Sequence, residues 1–469
     1  MVEPHEWSLS EMAARLRTGA VTSVELTERA IERHMRKGGP LEAYKLWLPE
    51  RARQAANAAD RARAAGADLG PLHGIPVSLK DLFALNGVEI FGGSPRRLPP
   101  QFEREGPVVR ALTHMLAIPM GKTHTTEFGF GVHGRNFHWG TPRNPWDAKT
   151  HRVPCGSSSG AGISLLEGSA HLALGSDSGG SVRLPASMSG TVGLKMTHGR
   201  WPLDGIVRTC LSFDSPGVLA RTVADAVVGF SAIDAALRGC TAMPVLRRDL
   251  AGIRIGVLDE FFWSDCSPGV GEGCRQALRE LEKKGARIQT LDFAEARQAL
   301  GISGNWDAGI VGPELHAILS AELPEWLETL NAPVRLHLRE AGARPASDYV
   351  RAKERLRALA AAVDERLAPF DVAVCPTSAI TPPTLEQSHD EEFTRRSGPL
   401  SARNTCVVNL LGLCALSLPV ALDAERMPVG LQLVARAHEE ERLLSVAQAF
   451  EDALGTAREN LGTALLCAD

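Results

Sequence analysis

Two serine- and glycine-rich stretches hold most of the chemistry that this 469-residue sequence offers. The first is His151-Arg152-Val153-Pro154-Cys155-Gly156-Ser157-Ser158-Ser159-Gly160-Ala161-Gly162. The second is Gly175-Ser176-Asp177-Ser178-Gly179-Gly180-Ser181-Val182-Arg183-Leu184-Pro185, which puts Ser157 and Ser181 24 positions apart. Glycine permits sharp turns and close backbone approach, and a serine hydroxyl can attack or relay a proton. A hydrolytic serine also needs a base, a polarising site for the carbonyl oxygen and exposure on a tight turn. Ser178-Gly179-Gly180-Ser181 offers a nucleophile and consecutive backbone N–H groups that one loop could aim at an oxyanion. Composition alone would also fit a flexible linker. Against that, Ile163-Ser164-Leu165-Leu166 and Leu172-Ala173-Leu174 between the clusters are apolar, as a buried element requires.

A base is offered upstream, in His73-Gly74-Ile75-Pro76-Val77-Ser78-Leu79-Lys80-Asp81. Read as a strand, its period of two puts Ile75, Val77 and Leu79 on one face, Ser78 and Lys80 on the other. A strand-end lysine can simply carry its charge to water. Desolvated instead, it loses basicity and becomes a proton acceptor near neutral pH. Other chemistries lack their patterns. There is no G-x-S-x-G elbow around Ser181, no phosphate-binding G-x-x-x-x-G-K-[ST] and no G-x-G-x-x-G after a strand. The 14 histidines form no H-E-x-x-H, and the nine cysteines form no C-x-x-C pair. An odd, scattered cysteine set suits a reducing compartment.

The elements that must position these residues follow from periodicity. Ser8-Leu9-Ser10-Glu11 and Thr22-Ser23-Val24-Glu25 are capping-box patterns that open two helices, and an Ala/Arg-rich third helix spans 51–65. Residues 117–123 read as a buried strand, and 87–107 as a Gly/Pro-rich loop. The strand 253–258, helix 272–284 and strand 288–293 make a β-α-β unit, which implies parallel pairing. Residues 294–345 carry weaker patterns that suit a substrate pocket or an oligomer contact. A long helix over 347–367, a strand at 372–375, an apolar region at 406–420, a strand at 430–434 and a helix at 440–450 close the chain. At 44% hydrophobic and 23% charged, the composition is that of a globular protein. A net charge of −4 gives no electrostatic case for nucleic acid or an anionic membrane surface. The start Met1-Val2-Glu3-Pro4-His5 lacks the marks of a secretory signal, and the apolar stretch 407–422 is too short and broken to span a bilayer. The expectation is a soluble cytoplasmic protein.

These residues carry a resemblance to the amidase signature family. It rests on Lys80 within His73-Gly74-Ile75-Pro76-Val77, on Gly156-Ser157-Ser158-Ser159-Gly160, and on Gly175 through Pro185. Gly121 through Phe128, Val192-Gly193-Leu194-Lys195 and Pro428-Val429-Gly430-Leu431-Gln432 extend the likeness from about Ser8 to Phe450. The resemblance implies an α/β fold with a large mixed, largely parallel twisted sheet flanked by helices on both faces. It implies one domain over 1–469: a helical layer to about 70, a core at 71–235, and a substrate-shaping region near 290–345. It implies a triad of Ser181 (nucleophile), Ser157 (relay, on a cis Gly156–Ser157 bond) and Lys80 (base). The backbone N–H groups of Ser178, Gly179, Gly180 and Ser181 would form the oxyanion hole, with Gly156, Asp177 and Arg183 as supports. Turnover would release a carboxylic acid plus ammonia or an amine, with no metal and no cofactor. The partners would be a small amide and, at most, a second copy of the chain.

Cys155 and Ser159 stand where the family commonly has glycine, and His124 where it often has asparagine. Phe128 and Phe130, with Phe83, Phe91 and Trp139, could line an apolar pocket for aryl or alkyl amides. Ureas, carbamates and hydrazides share the tetrahedral chemistry. The alternative within the family is the glutaminase-type A component of a tRNA-dependent amidotransferase, which passes ammonia to partner subunits. Leu184 speaks against it: that component typically carries glutamine there.

Overall fold

A computed structural model describes residues 3–241, 245–302 and 309–468. Eleven strands form one sheet: β1 (Tyr44–Trp47), β2 (Pro76–Lys80), β3 (Ile118–Thr123), β4 (Leu172–Asp177), β5 (Val192–Lys195), β6 (Ser215–Ala220), β7 (Arg254–Leu258), β8 (Arg287–Leu291), β9 (Val372–Pro376), β10 (Cys414–Leu422) and β11 (Pro428–Ala435). Their order is β1-β3-β2-β4-β6-β5-β10-β11-β9-β7-β8. The expected large mixed sheet flanked by helices is present. Parallel pairing occupies two blocks, β3-β2-β4 and β9-β7-β8, while the centre from β4 to β9 is antiparallel. The β-α-β reading of 253–293 holds, with β7 and β8 parallel around the helix Val270–Lys283.

Burial explains the strands that carry the site. All residues of β2, β3 and β4 are buried, so these strands read as near-continuous apolar runs rather than as alternation. The first helix, Leu9–Thr18, buries Leu9, Met12, Ala13 and Leu16, and Ser8 Oγ accepts the Glu11 N–H. Thr22 and Glu25 complete a reciprocal capping box on the helix Ser23–Arg33.

The apolar region 406–420 is two elements. The helix Glu391–Leu410 stops, Gly412 turns at φ +71°, and β10 begins at Cys414. Periodicity could not separate them, because both are buried. The weak patterns of 294–345 are helices: Ala294–Gly301, Val311–Glu322, Pro324–Leu327 and Ala332–Gly342. Residues 303–308 of that region lie outside the described residues. No helix among the described residues is long and apolar enough to cross a membrane.

Candidate active site

The site forms where parallel β2 and β4 end side by side. Lys80, the last residue of β2, is fully buried, with Nζ 2.7 Å from Ser157 Oγ and 3.0 Å from Ser176 Oγ. Burial pulls the Lys80 ammonium down to about 7, against the opposing pull of the Asp214 and Asp177 carboxylates. A lysine so placed holds a substantial neutral fraction at neutral pH. The first Ser/Gly cluster thus meets the upstream strand through Ser157.

Ser157 follows a cis peptide bond from Gly156. Gly156 N–H donates to Val132 O at 2.8 Å, and Ser157 O accepts from Thr126 N–H at 3.4 Å. Gly134 packs against this peptide so closely that a Cβ there would stand 2.2 Å from Cys155 O, so only glycine fits. Ser158 N–H donates to Ser181 O at 3.2 Å, which ties the residue after Ser157 to Ser181 itself and so joins the two clusters. Cys155 has φ +64°, and burial pushes its thiol up to about 12. Ser159 Oγ is buried without a hydrogen bond among the described residues. His124 is buried, which pushes its ring down to about 4, with the Lys45 charge adding to the effect.

Ser181 is only partly buried, and its hydroxyl makes no hydrogen bond among the described residues. The turn before it is built by Asp177. One carboxylate oxygen accepts Gly180 N–H at 2.7 Å, the other Val182 N–H at 3.0 Å. Of the four amides expected to face an oxyanion, that of Gly180 is therefore engaged from within. Those of Ser178, Gly179 and Ser181 have no acceptor among the described residues. Gly180 has φ +133°, and a Cβ on it would lie 2.2 Å from Thr405 Oγ1.

Arg183 braces the turn from the opposite side. Its guanidinium grips both Asp177 oxygens, at 3.1 and 2.9 Å, and donates to Thr405 O, Gln432 Oε1 and Asn409 Oδ1 at 2.9, 2.7 and 2.6 Å. Burial works against a charged Asp177, but the Arg183 charge and its hydrogen bonds hold the carboxyl well below the ordinary range. Neither side chain is exposed to solvent.

The aromatic pair divides. Phe128 is fully buried at φ +49°, and its carbonyl accepts from Thr209 Oγ1 at 2.7 Å, so its ring is core. Phe130 lies at the edge of the core, its ring 5.2 Å from that of His337. Between them, Gly129 faces Ser157: a Cβ there would stand 3.5 Å from Ser157 Oγ. Phe91 and Trp139 flank Lys45, whose Nζ is 4.1 and 3.4 Å from their ring centroids. Phe83 is fully buried.

Sequence reasoning missed Ser176 and Asp214. Ser176 sits in the second cluster, yet its pairing with Lys80 depends on the register of β2 against β4. Asp214 precedes β6 in a loop that carries no motif. Its carboxylate accepts Ser178 Oγ at 2.5 Å and the amides of Thr209 and Cys210 at 2.8 and 3.0 Å.

Comparison with known proteins gives this geometry its context. A family model described as Amidase matches residues 25–444. The 2-amino-5-chloromuconic acid deaminase of Comamonas testosteroni is 43% identical over 455 residues, covering 97% of this chain and 98% of its own. The A component of the glutamyl-tRNA(Gln) amidotransferase of Aromatoleum aromaticum is 31% identical over 493 aligned positions, covering 95% and 97%. The solved structure of the peptide amidase from Stenotrophomonas maltophilia matches with a TM-score of 0.79 at 27% identity, covering 98% of each chain. On this sequence match and shared fold, the chain belongs to the amidase family and is a hydrolase of carbon–nitrogen bonds.

Proposed function

We propose that the chain hydrolyses a C–N bond of a small molecule through Ser181, Ser157 and Lys80. The observation that carries this reading is the buried Lys80 Nζ 2.7 Å from Ser157 Oγ. A lysine pulled down to about 7 accepts a proton near neutrality without a histidine. Neutral Lys80 takes the Ser157 proton as Ser157 takes that of Ser181. Ser181 Oγ then bonds to the carbonyl carbon, and the free amides of Ser178, Gly179 and Ser181 hold the developing oxyanion. The proton returns through Ser157 to the nitrogen, the C–N bond breaks, and ammonia or an amine leaves. Water, deprotonated along the same path, cleaves the ester and restores Ser181 with release of the acid.

For the substrate, a stand-alone enzyme releasing ammonia from a small carboxamide fits better than a component of an amidotransferase. Identity to the deaminase is 43%, against 31% to the amidotransferase component. The test is ammonia release by the purified chain from benzamide, hexanamide, glutamine and 2-amino-5-chloromuconic acid. Turnover that appears only when partner subunits are added would favour the amidotransferase reading. Ser181→Ala is expected to cut turnover by about 10³-fold or more with an unchanged melting curve. Retention of more than a trace of activity sinks the nucleophile assignment.

A further inference from the structure

We propose that Asp214 is a positioning residue for this chemistry, the buried counter-charge that sets Lys80 and, through Ser178, the turn that presents the nucleophile. This rests on the triad reading above. Three observations carry it. First, Asp214 is buried and in no ion pair among the described residues, whereas Asp177 is gripped by Arg183. Second, its carboxylate binds at both ends. One oxygen accepts the Ser178 hydroxyl, and the other accepts the Thr209 and Cys210 amides, which fixes the loop before β6 against the loop after β4. Third, Lys80 Nζ lies 3.0 Å from Ser176 Oγ, two residues before the Ser178 that Asp214 holds, and the Asp214 carboxylate favours the charged form of Lys80.

The loop is held from outside as well. The Glu314 carboxylate accepts from Cys210 Sγ and Ser212 N, each at 2.9 Å, from the Ser212 hydroxyl, and from Tyr349 OH at 2.7 Å. Glu314 lies in the wall of a cavity of about 720 Å³.

The charges around the pair can be named element by element. β4 contributes Asp177, paired with Arg183 of the following helix. The Lys122–Asp81 pair at 3.0 Å comes from β3 and the residue after β2. On the Asp214 side, His198 Nδ1 is 2.8 Å from the backbone carbonyl, and Cys210 and Glu314 complete the surroundings. Asp214 and Asp177 both favour a protonated Lys80, and of the two only Asp214 is in no ion pair among the described residues. Burial raises the Asp214 carboxyl, while the amides of Cys210 and Thr209, the Ser178 hydroxyl and the Lys80 charge oppose that rise.

The experiment uses the full-length chain and a serine-directed fluorophosphonate, so that no substrate need be known. Ser181 Oγ bonds to phosphorus, fluoride leaves, and the serine proton passes to Lys80. In the wild type the rate should rise as pH passes through the Lys80 titration. In Asp214→Asn the carboxamide oxygen can accept the Thr209 and Cys210 amides, and its N–H can donate to Ser178 Oγ. Shape is kept and charge is lost. The acid limb should move down by about one pH unit or more, because an opposite charge near an ammonium favours its protonated form. Ser178→Ala should slow labelling and leave the limb in place. A limb in Asp214→Asn that coincides with wild type, or one that Ser178→Ala moves equally, overturns the proposal. If Asp214→Asn melts as an unfolded chain, the folded wild type labelled with ¹³C at aspartate carboxyls decides. An aspartate signal inflecting together with the acid limb is expected, and the absence of any such signal overturns the proposal. Failure of the triad reading looks different: the wild type is then not labelled, or Ser181→Ala is labelled equally.

Discussion

Lys80 sets the balance between stability and chemistry at the level of a single residue. Its folded-state value of about 7 lies below the ordinary 10.5, so between those values the unfolded chain binds more protons than the folded one. Stability therefore rises with pH through that window and is lowest below 7, where the buried ammonium weighs most. Lys80→Met should accordingly raise Tm at pH 7, flatten the gain in stability between pH 7 and 10.5, and abolish turnover. A variant that melts below the wild type in calorimetry would contradict this. The sequence made Lys80 visible because a lysine ended an apolar strand. Asp214 was not legible, because nothing local marks a carboxylate whose side-chain partner, Ser178, lies 36 positions earlier.

Among the elements, the turn from Asp177 to Arg183 is the one whose integrity the site depends on. Its amides are aimed by one carboxylate, and that carboxylate is held by one guanidinium with five donor contacts. Lysine cannot reproduce that planar fork. Arg183→Ala leaves Asp177 buried and unpaired, which should cost about 3–5 kcal/mol, read as a lower denaturation midpoint. Arg183→Lys should keep the fold but lower kcat more than it changes KM. A substitution to lysine with wild-type kcat would remove Arg183 from the positioning of the turn. The sequence disclosed this turn well, since glycines, serines and an Asp–Arg pair cluster within seven residues. It disclosed the aromatic lining poorly. Phe128 is a buried side chain whose backbone, rather than its ring, neighbours the site. A period of two or 3.6 says that a face is covered, not whether protein or ligand covers it.

For the whole molecule, the order of strands argues that the chain folds as one unit. β5, from the first half, pairs with β10 from the last quarter. Ser187 Oγ of the helix Arg183–Ser189 accepts Gly430 N–H at 3.1 Å. We propose a single domain on this ground. A fragment comprising residues 1–241 would present β5 as a bare, apolar edge. It should fail to unfold cooperatively when followed by circular dichroism, and a sharp, reversible transition in the fragment would show that the halves are separable. None of this interleaving was legible in the sequence. Short-range signals reveal a β-α-β unit such as 254–291, where the connection enforces parallel neighbours. The antiparallel centre arises from tertiary pairing and from the tight β10–β11 connection, in which Arg426 takes φ +61°.

The distribution of thiols has a practical meaning. Seven of the nine cysteines are buried, Cys266 is partly covered and Cys240 is exposed. Buried thiols pushed up to about 12, as at Cys155 and Cys375, hold almost no thiolate at working pH. The protein thus carries a graded set of internal clocks: one cysteine that an alkylating reagent meets at once, and seven that it meets only as the surrounding structure opens. Chemical marking over time can record which layers of the molecule breathe first.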